Sequence, residues 1–168
     1  NVNIATNGRL ENSGTVYGQN KVNLDSSRGI TNKGSIAGIN VELVAKDGNV
    51  KTSGKIYGKE KIEINSSKGI ANSGTINGCI VDAIAADGNI NNSGTISGHE
   101  KANLNSSKAI TNTGLINGGS LAVTARDGNI ETSGEISAKD SLYITSSKAV
   151  MNKGKILGTI VDVTAKDG

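Results

Sequence analysis

Cys79 and His99 are the single cysteine and the single histidine of the chain, and they stand twenty residues apart. A thiol beside an imidazole is the simplest pairing from which a nucleophile can be made, because the imidazole takes the thiol proton. The cations suggest a second chemistry. Arg28, Lys68, Lys108 and Lys148 recur every forty residues, and Lys21, Lys61 and Lys101 do the same. A regular row of positive charge suits an anionic polymer such as a sulfated glycan. Asp47, Asp87, Asp127 and Asp167 form an acidic counterpart at the same interval. Which of these residues meet depends on the elements that carry them.

Those elements are set by a repeat. Glycine recurs every twenty residues from Gly14 to Gly154, and an aliphatic follows each glycine two residues on, from Val16 through Ile36 and Ile96 to Ile156. Four residues before each glycine stands another, from Leu10 through Ile70 to Val150. A further glycine column, Gly18 to Gly158, is broken only by Ala138. Periods of this length mark stacked arrays.

Within each repeat apolar and polar residues alternate, as in Val22-Asn23-Leu24 and Ile62-Glu63-Ile64. Period two means strands. Clusters such as Ser73-Gly74, Asp87-Gly88-Asn89 and Ser66-Ser67-Lys68 are turn chemistry, so we expect about three short strands per repeat. Strands this short cannot pair within one repeat and must pair with their equivalents in the next. The chain is therefore expected to be all-β, a right-handed parallel β-helix (β-solenoid) of about twenty residues per coil. At a strand spacing of about 4.8 Å, its eight coils make a rod roughly 40 Å long. Glycine at the corners is expected to supply unusual backbone angles. The column Asn12, Asn32, Asn72, Asn92, Asn112 and Asn152, with Thr52 and Thr132 substituting, is expected to form a stacked side-chain ladder.

A second period doubles the first. Ser-Ser begins at 26, 66, 106 and 146, and Asp-Gly at 47, 87, 127 and 167, so the unit is forty residues, or two coils. Seven positions separate Leu43 from Val50, but six separate Leu24 from Ile30. We read this as one residue exchanged between adjacent corners, with the coil length unchanged. The chain begins inside a coil and ends on Asp167-Gly168 without a polar cap. We therefore expect residues 1–168 to be one solenoid segment of a longer array.

The candidate chemistry can then be weighed. Cys79 and His99 should stack in neighbouring coils about 5 Å apart. Their column, which also holds Gln19, Ile39, Lys59, Gly119, Lys139 and Thr159, has the mixed character of a free outward position. No orienting third group or oxyanion donor accompanies them. The aspartates lie two coils apart, about 10 Å, too far to share a metal. Column 15 (Thr15, Ser35, Lys55, Thr75, Thr95, Leu115, Glu135, Lys155) lacks the regular threonines of an ice-binding face. We expect no enzyme, no metal and no cofactor. The Lys/Asp staircase reads most simply as a solvated surface of weak ion pairs. The alternative is an anionic-glycan contact along Arg28, Lys68, Lys108 and Lys148, with Tyr17 and Tyr57 placed to stack on sugars.

Composition narrows the class. The chain has 23 Gly, no Pro, Trp or Phe, and three Tyr, so its core must be narrow and aliphatic. A net charge of +3 with 2% aromatic residues argues against nucleic-acid binding. One cysteine excludes an internal disulfide framework. No stretch approaches the roughly 18 apolar residues of a membrane helix.

The run Gly69-Ile70-Ala71-Asn72-Ser73-Gly74-Thr75-Ile76-Asn77-Gly78 resembles the repeat of filamentous-haemagglutinin-type exoproteins, the large two-partner-secretion adhesins and contact-dependent growth-inhibition effectors of bacteria. The likeness extends over the whole chain. It implies a right-handed β-helix filament, export through an outer-membrane partner, and display at or beyond the cell surface. The expected function is that of a rigid structural shaft holding a distal region away from the cell. Expected partners are neighbouring repeats or further copies end to end, with host or cell-surface glycans as the alternative.

Overall fold

The computed structural model of the protein describes residues 1–167. It is an all-β parallel solenoid of about eight turns, with no helix among the described residues. Gly168, the second half of the last Asp-Gly pair, lies outside them.

Each turn contributes two strands. Short strands of three residues, such as Leu10–Asn12, Ile30–Asn32, Val50–Thr52 and Ile70–Asn72, stack into an eight-stranded sheet. Long strands, such as Thr15–Ser26, Ser35–Ala45, Lys55–Ser66 and Thr75–Ala85, stack into a ten-stranded sheet. This corrects the expectation of three strands per coil. The corner after the second glycine column is a bulge inside one bent strand, and hydrogen bonding resumes past it.

The bulge also accounts for the two-coil period. Gly18 pairs with Gly38, but the next paired residues are Lys21 and Asn40, so Gln19 and Asn20 oppose Ile39 alone. The difference is returned at the following turn, where Ser27-Arg28-Gly29 is matched by Lys46-Asp47-Gly48-Asn49. The exchanged residue inferred from the Leu43–Val50 spacing is therefore present.

The core is a stack of aliphatics. Ile36, Ile56, Ile76, Ile96, Ile116 and Ile136 lie one above another, and none is more than 1% exposed. All three tyrosines lie outside it. Buried polar columns line its corners. Asn12 Nδ2 donates to Asn32 Oδ1 at 2.8 Å, and Asn32 to Thr52 Oγ1 at 3.2 Å. A second run passes from Asn72 to Asn92 and Asn112, at 2.8 Å each, and ends on Thr132 Oγ1 at 3.2 Å. The second amide proton of each asparagine reaches a backbone carbonyl in the next coil, as from Asn72 to Thr95 at 3.0 Å. The amide ladder read from the sequence is thus formed from Asn12 to Thr132, in two runs that threonine terminates, but Asn152 is exposed and instead accepts from Gly154 N–H in its own turn.

The glycine columns have a different cause from the one expected. No glycine in the described residues has positive φ, so unusual backbone angles do not select them. Space does. A Cβ on Gly34, Gly54, Gly74 or Gly94 would overlap the carbonyl oxygen of the glycine one coil below. Gly14 has nothing within 4 Å of that position among the described residues. Stacked backbones, rather than a left-handed turn, require the missing side chain.

Candidate functional site

The outward residues of the turns bring the predicted cations against carboxylates. Lys68 Nζ lies 3.1 Å from Asp47 Oδ1, and Lys108 Nζ lies 3.2 Å from Asp87 Oδ1. Each pair joins adjacent coils, so the Lys/Asp staircase exists at these two steps. Its partners are well exposed, and such pairs contribute little stability. Arg28 and Lys148 have no carboxylate within 4.0 Å among the described residues.

In the second row Lys21 and Lys61 are matched by acids, whereas Lys101 has no carboxylate within 4.0 Å among the described residues. Lys21 pairs with Glu42 at 2.7 Å. Lys61 meets both Glu63 at 3.0 Å and Asp82 at 3.2 Å. Glu42, Glu63 and Asp82 occupy equivalent positions in three successive coils, where like charges would repel. Lys61 relieves this by bridging the upper two. The hydrogen bond from Lys61, followed by that from Asn65, holds the Glu63 carboxyl below its usual range. The same bond to Glu63, and then that to Asp82, raises the Lys61 ammonium.

Cys79 and His99 lie in neighbouring coils at the bulge, where strand pairing is interrupted between Gly98 and Lys101. Cys79 is half-buried and His99 exposed. Burial pushes the Cys79 thiol pKa up, and the neighbouring Glu100 adds to the shift. A thiol held protonated is a poor nucleophile. No group of three His, Cys, Asp or Glu side chains among the described residues could hold a metal ion.

The concave features of the surface were not anticipated from the sequence. A groove of about 510 Å³ follows the outer face of the short-strand sheet, lined by Thr31, Lys51, Ser73, Asn91, Ser93 and Thr113 among others. It runs between the one outward column of the three-residue strands (Thr31, Lys51, Ala71, Asn91) and the column just after them (Lys33, Ser53, Ser73, Ser93), with the buried asparagine and threonine column between. A hollow of about 440 Å³ adjoins it, with Arg9, Arg28, Gly29, Asp47, Lys51 and Lys68 in its walls. Thr31 and Lys51 belong to both. Of the predicted row, Arg28 and Lys68 therefore share this hollow, Lys68 and Lys108 line the next one, of about 480 Å³, and Lys148 lies further along the rod. Tyr17 and Tyr57, 66% and 51% exposed, stand two coils apart on the long-strand sheet, away from this groove.

These features define a parallel β-solenoid repeat protein whose outward side chains vary over an invariant frame. Compared with protein-family models, curated proteins and solved structures, the chain matches none.

Proposed function

We propose that the chain is a structural shaft, a rigid rod that holds a functional region away from its point of attachment. The observation that carries this reading is the unbroken stacking. Each long strand pairs with its equivalent in the next coil, from Val2–Thr6 to Ile160–Ala165, and pairing resumes after the bulge at each corner. Side-chain ladders parallel to the axis reinforce the backbone ladder. Bending or stretching such a rod strains many hydrogen bonds together, which is what a spacer requires.

The motif resemblance adds the biological setting: a bacterial surface filament or adhesin, exported through an outer-membrane partner and working outside the cell. On this reading the protein is not an enzyme, and its main partners are neighbouring repeats or further copies in line. A glycan-binding face spread along Arg28, Lys68, Lys108 and Lys148 has weaker support, because Lys68 and Lys108 already face aspartates.

The test is to remove or add one forty-residue unit within the parent filament. A shaft predicts that the far end moves by about 10 Å per unit, from two strand spacings, with distal activity retained. Loss of that activity, with the fold intact, would contradict the shaft reading.

A further inference from the structure

Three turns share a hydrogen bond that a fourth lacks. The backbone N–H of Gly69 donates to Asn49 Oδ1 at 2.8 Å, that of Ala109 to Asn89 Oδ1 at 3.1 Å, and that of Ala149 to Asn129 Oδ1 at 3.2 Å. Each acceptor lies one coil earlier, and each N–H immediately precedes a short strand. Gly29 is the equivalent residue before Ile30–Asn32. Twenty residues before it stands Arg9, a side chain with donors only.

Gly29 is buried, and among the described residues its N–H has no acceptor. The equivalent bonds from Gly69 and Ala109 lie at the surface, so an N–H in this position is within reach of a ligand. This one lies in the wall of the hollow that also holds Arg9, Arg28 and Lys51. Those three cations have no carboxylate within 4.0 Å among the described residues, whereas Asp47 and Lys68 in the same wall are paired with each other at 3.1 Å. The hollow therefore combines an unsatisfied N–H with an excess of positive charge. An oxyanion supplies both missing elements: one oxygen takes the place of the absent asparagine Oδ1, and the others face guanidinium donors.

We propose that this hollow binds a sulfate or phosphate ester, and that the adjoining groove receives the sugar chain carrying it. The groove shares Thr31 and Lys51 with the hollow and continues along the rod past Ser73, Asn91, Ser93 and Thr113. The groove surface is mostly carbon, with the polar groups of Ser73, Asn91, Ser93 and Thr113 interspersed, a mix that can meet both the C–H faces and the hydroxyls of a sugar chain. The walls hold no aromatic side chain for stacking bases and no large aliphatic for acyl chains. This site differs from a continuous cationic stripe, since it depends on Arg9 and Gly29 and does not involve Lys108. It stands apart from the shaft reading, because a shaft can exist with or without it.

The test is an amide-resolved NMR titration of the isotope-labelled chain. The probes are inorganic sulfate, inorganic phosphate and a sulfated linear tetrasaccharide, with anionic lipid vesicles as a comparison. The Gly29 amide signal is expected to shift and saturate, with the tetrasaccharide binding about tenfold more tightly than either free ion. Arg9→Asn restores the acceptor found in the other turns. It should keep or raise the melting temperature while weakening binding about tenfold or more. Ser73→Leu, at an exposed groove position, should reduce tetrasaccharide affinity to that of free sulfate, and Lys108→Glu should leave it unchanged. An unmoved Gly29 signal, or an Arg9→Asn variant that binds normally, would overturn the oxyanion site. Equal losses from Lys108→Glu would show diffuse electrostatics instead. A tetrasaccharide no tighter than sulfate, or an indifferent Ser73→Leu, would overturn the glycan assignment, as would binding to vesicles but not to the sugar.

Discussion

At the scale of single residues, neighbouring coils decide what each position tolerates. The glycine columns show this most directly. Gly74→Ala places a methyl group against the Gly54 carbonyl and should cost about 1–3 kcal/mol or more. Gly14→Ala meets open space and should change stability by less than about 0.5 kcal/mol. Urea unfolding of the two variants makes the comparison, and equal losses would point back to backbone conformation as the cause. These columns were legible in the sequence, but their reason was not, since a turn glycine and a stacking glycine look alike in one dimension.

The ion-pair residues give a prediction about pH. The Glu63 pKa is lowered in the folded state. Its pairing with Lys61 therefore stabilises the fold above the unfolded carboxylate pKa, and this contribution disappears as pH falls through the folded value. The Lys61 pKa is raised, so its contribution is present below the unfolded lysine pKa and lost as pH climbs through the folded value. Lys61→Met should be less stable than the parent at neutral pH. The gap should narrow in acid, as melting temperatures across a pH series will show. Both side chains are substantially exposed, so the effect should be modest and should shrink with added salt.

At the scale of elements, the buried ladders tie one coil to the next. Asn92 accepts from Asn72 and donates to Asn112 and to the Leu115 carbonyl. Asn92→Ala removes these links and strands buried partners, at a cost of about 1–3 kcal/mol. Asn92→Thr keeps an acceptor, as Thr52 and Thr132 do naturally, and should cost less by chemical denaturation. The asparagine column was evident from its period. The serine seams were not, because Ser66 Oγ reaches Gly48 O at 2.7 Å across both a coil boundary and a turn. The same bond recurs from Ser26 to Gly8, Ser106 to Gly88 and Ser146 to Gly128, whereas the alternate coils place Ala45, Ala85 and Ala125 at the equivalent position. The bent long strand was missed for a related reason. Side-chain alternation stops at Gln19-Asn20, but strand pairing continues beyond it.

At the scale of the molecule, a forty-residue unit is the smallest piece that can be removed without disturbing the pattern. Deleting residues 50–89 leaves Ser-Ser and Asp-Gly coils alternating. Deleting 50–69 sets two Asp-Gly coils against each other, replaces the two-against-one bulge with equal single-residue corners at Ile39 and Cys79, and removes the Ser66 seam. The longer deletion should therefore be the less damaging, as thermal unfolding will show. A solenoid indifferent to coil type would rank them by length alone. Fold and period were readable at this scale because every coil repeats the same information. The hollow around Gly29 was not, because its signal is one departure, Arg9, from a column of asparagines.

On the proposed shaft reading these coils belong to a longer continuous rod, and electron microscopy of the native assembly at side-chain detail measures its length. Rods much longer than the roughly 40 Å spanned by eight coils are expected, with an unbroken axial repeat of about 4.8 Å. Isolated particles about 40 Å long, with ends covered by a different fold, would contradict it.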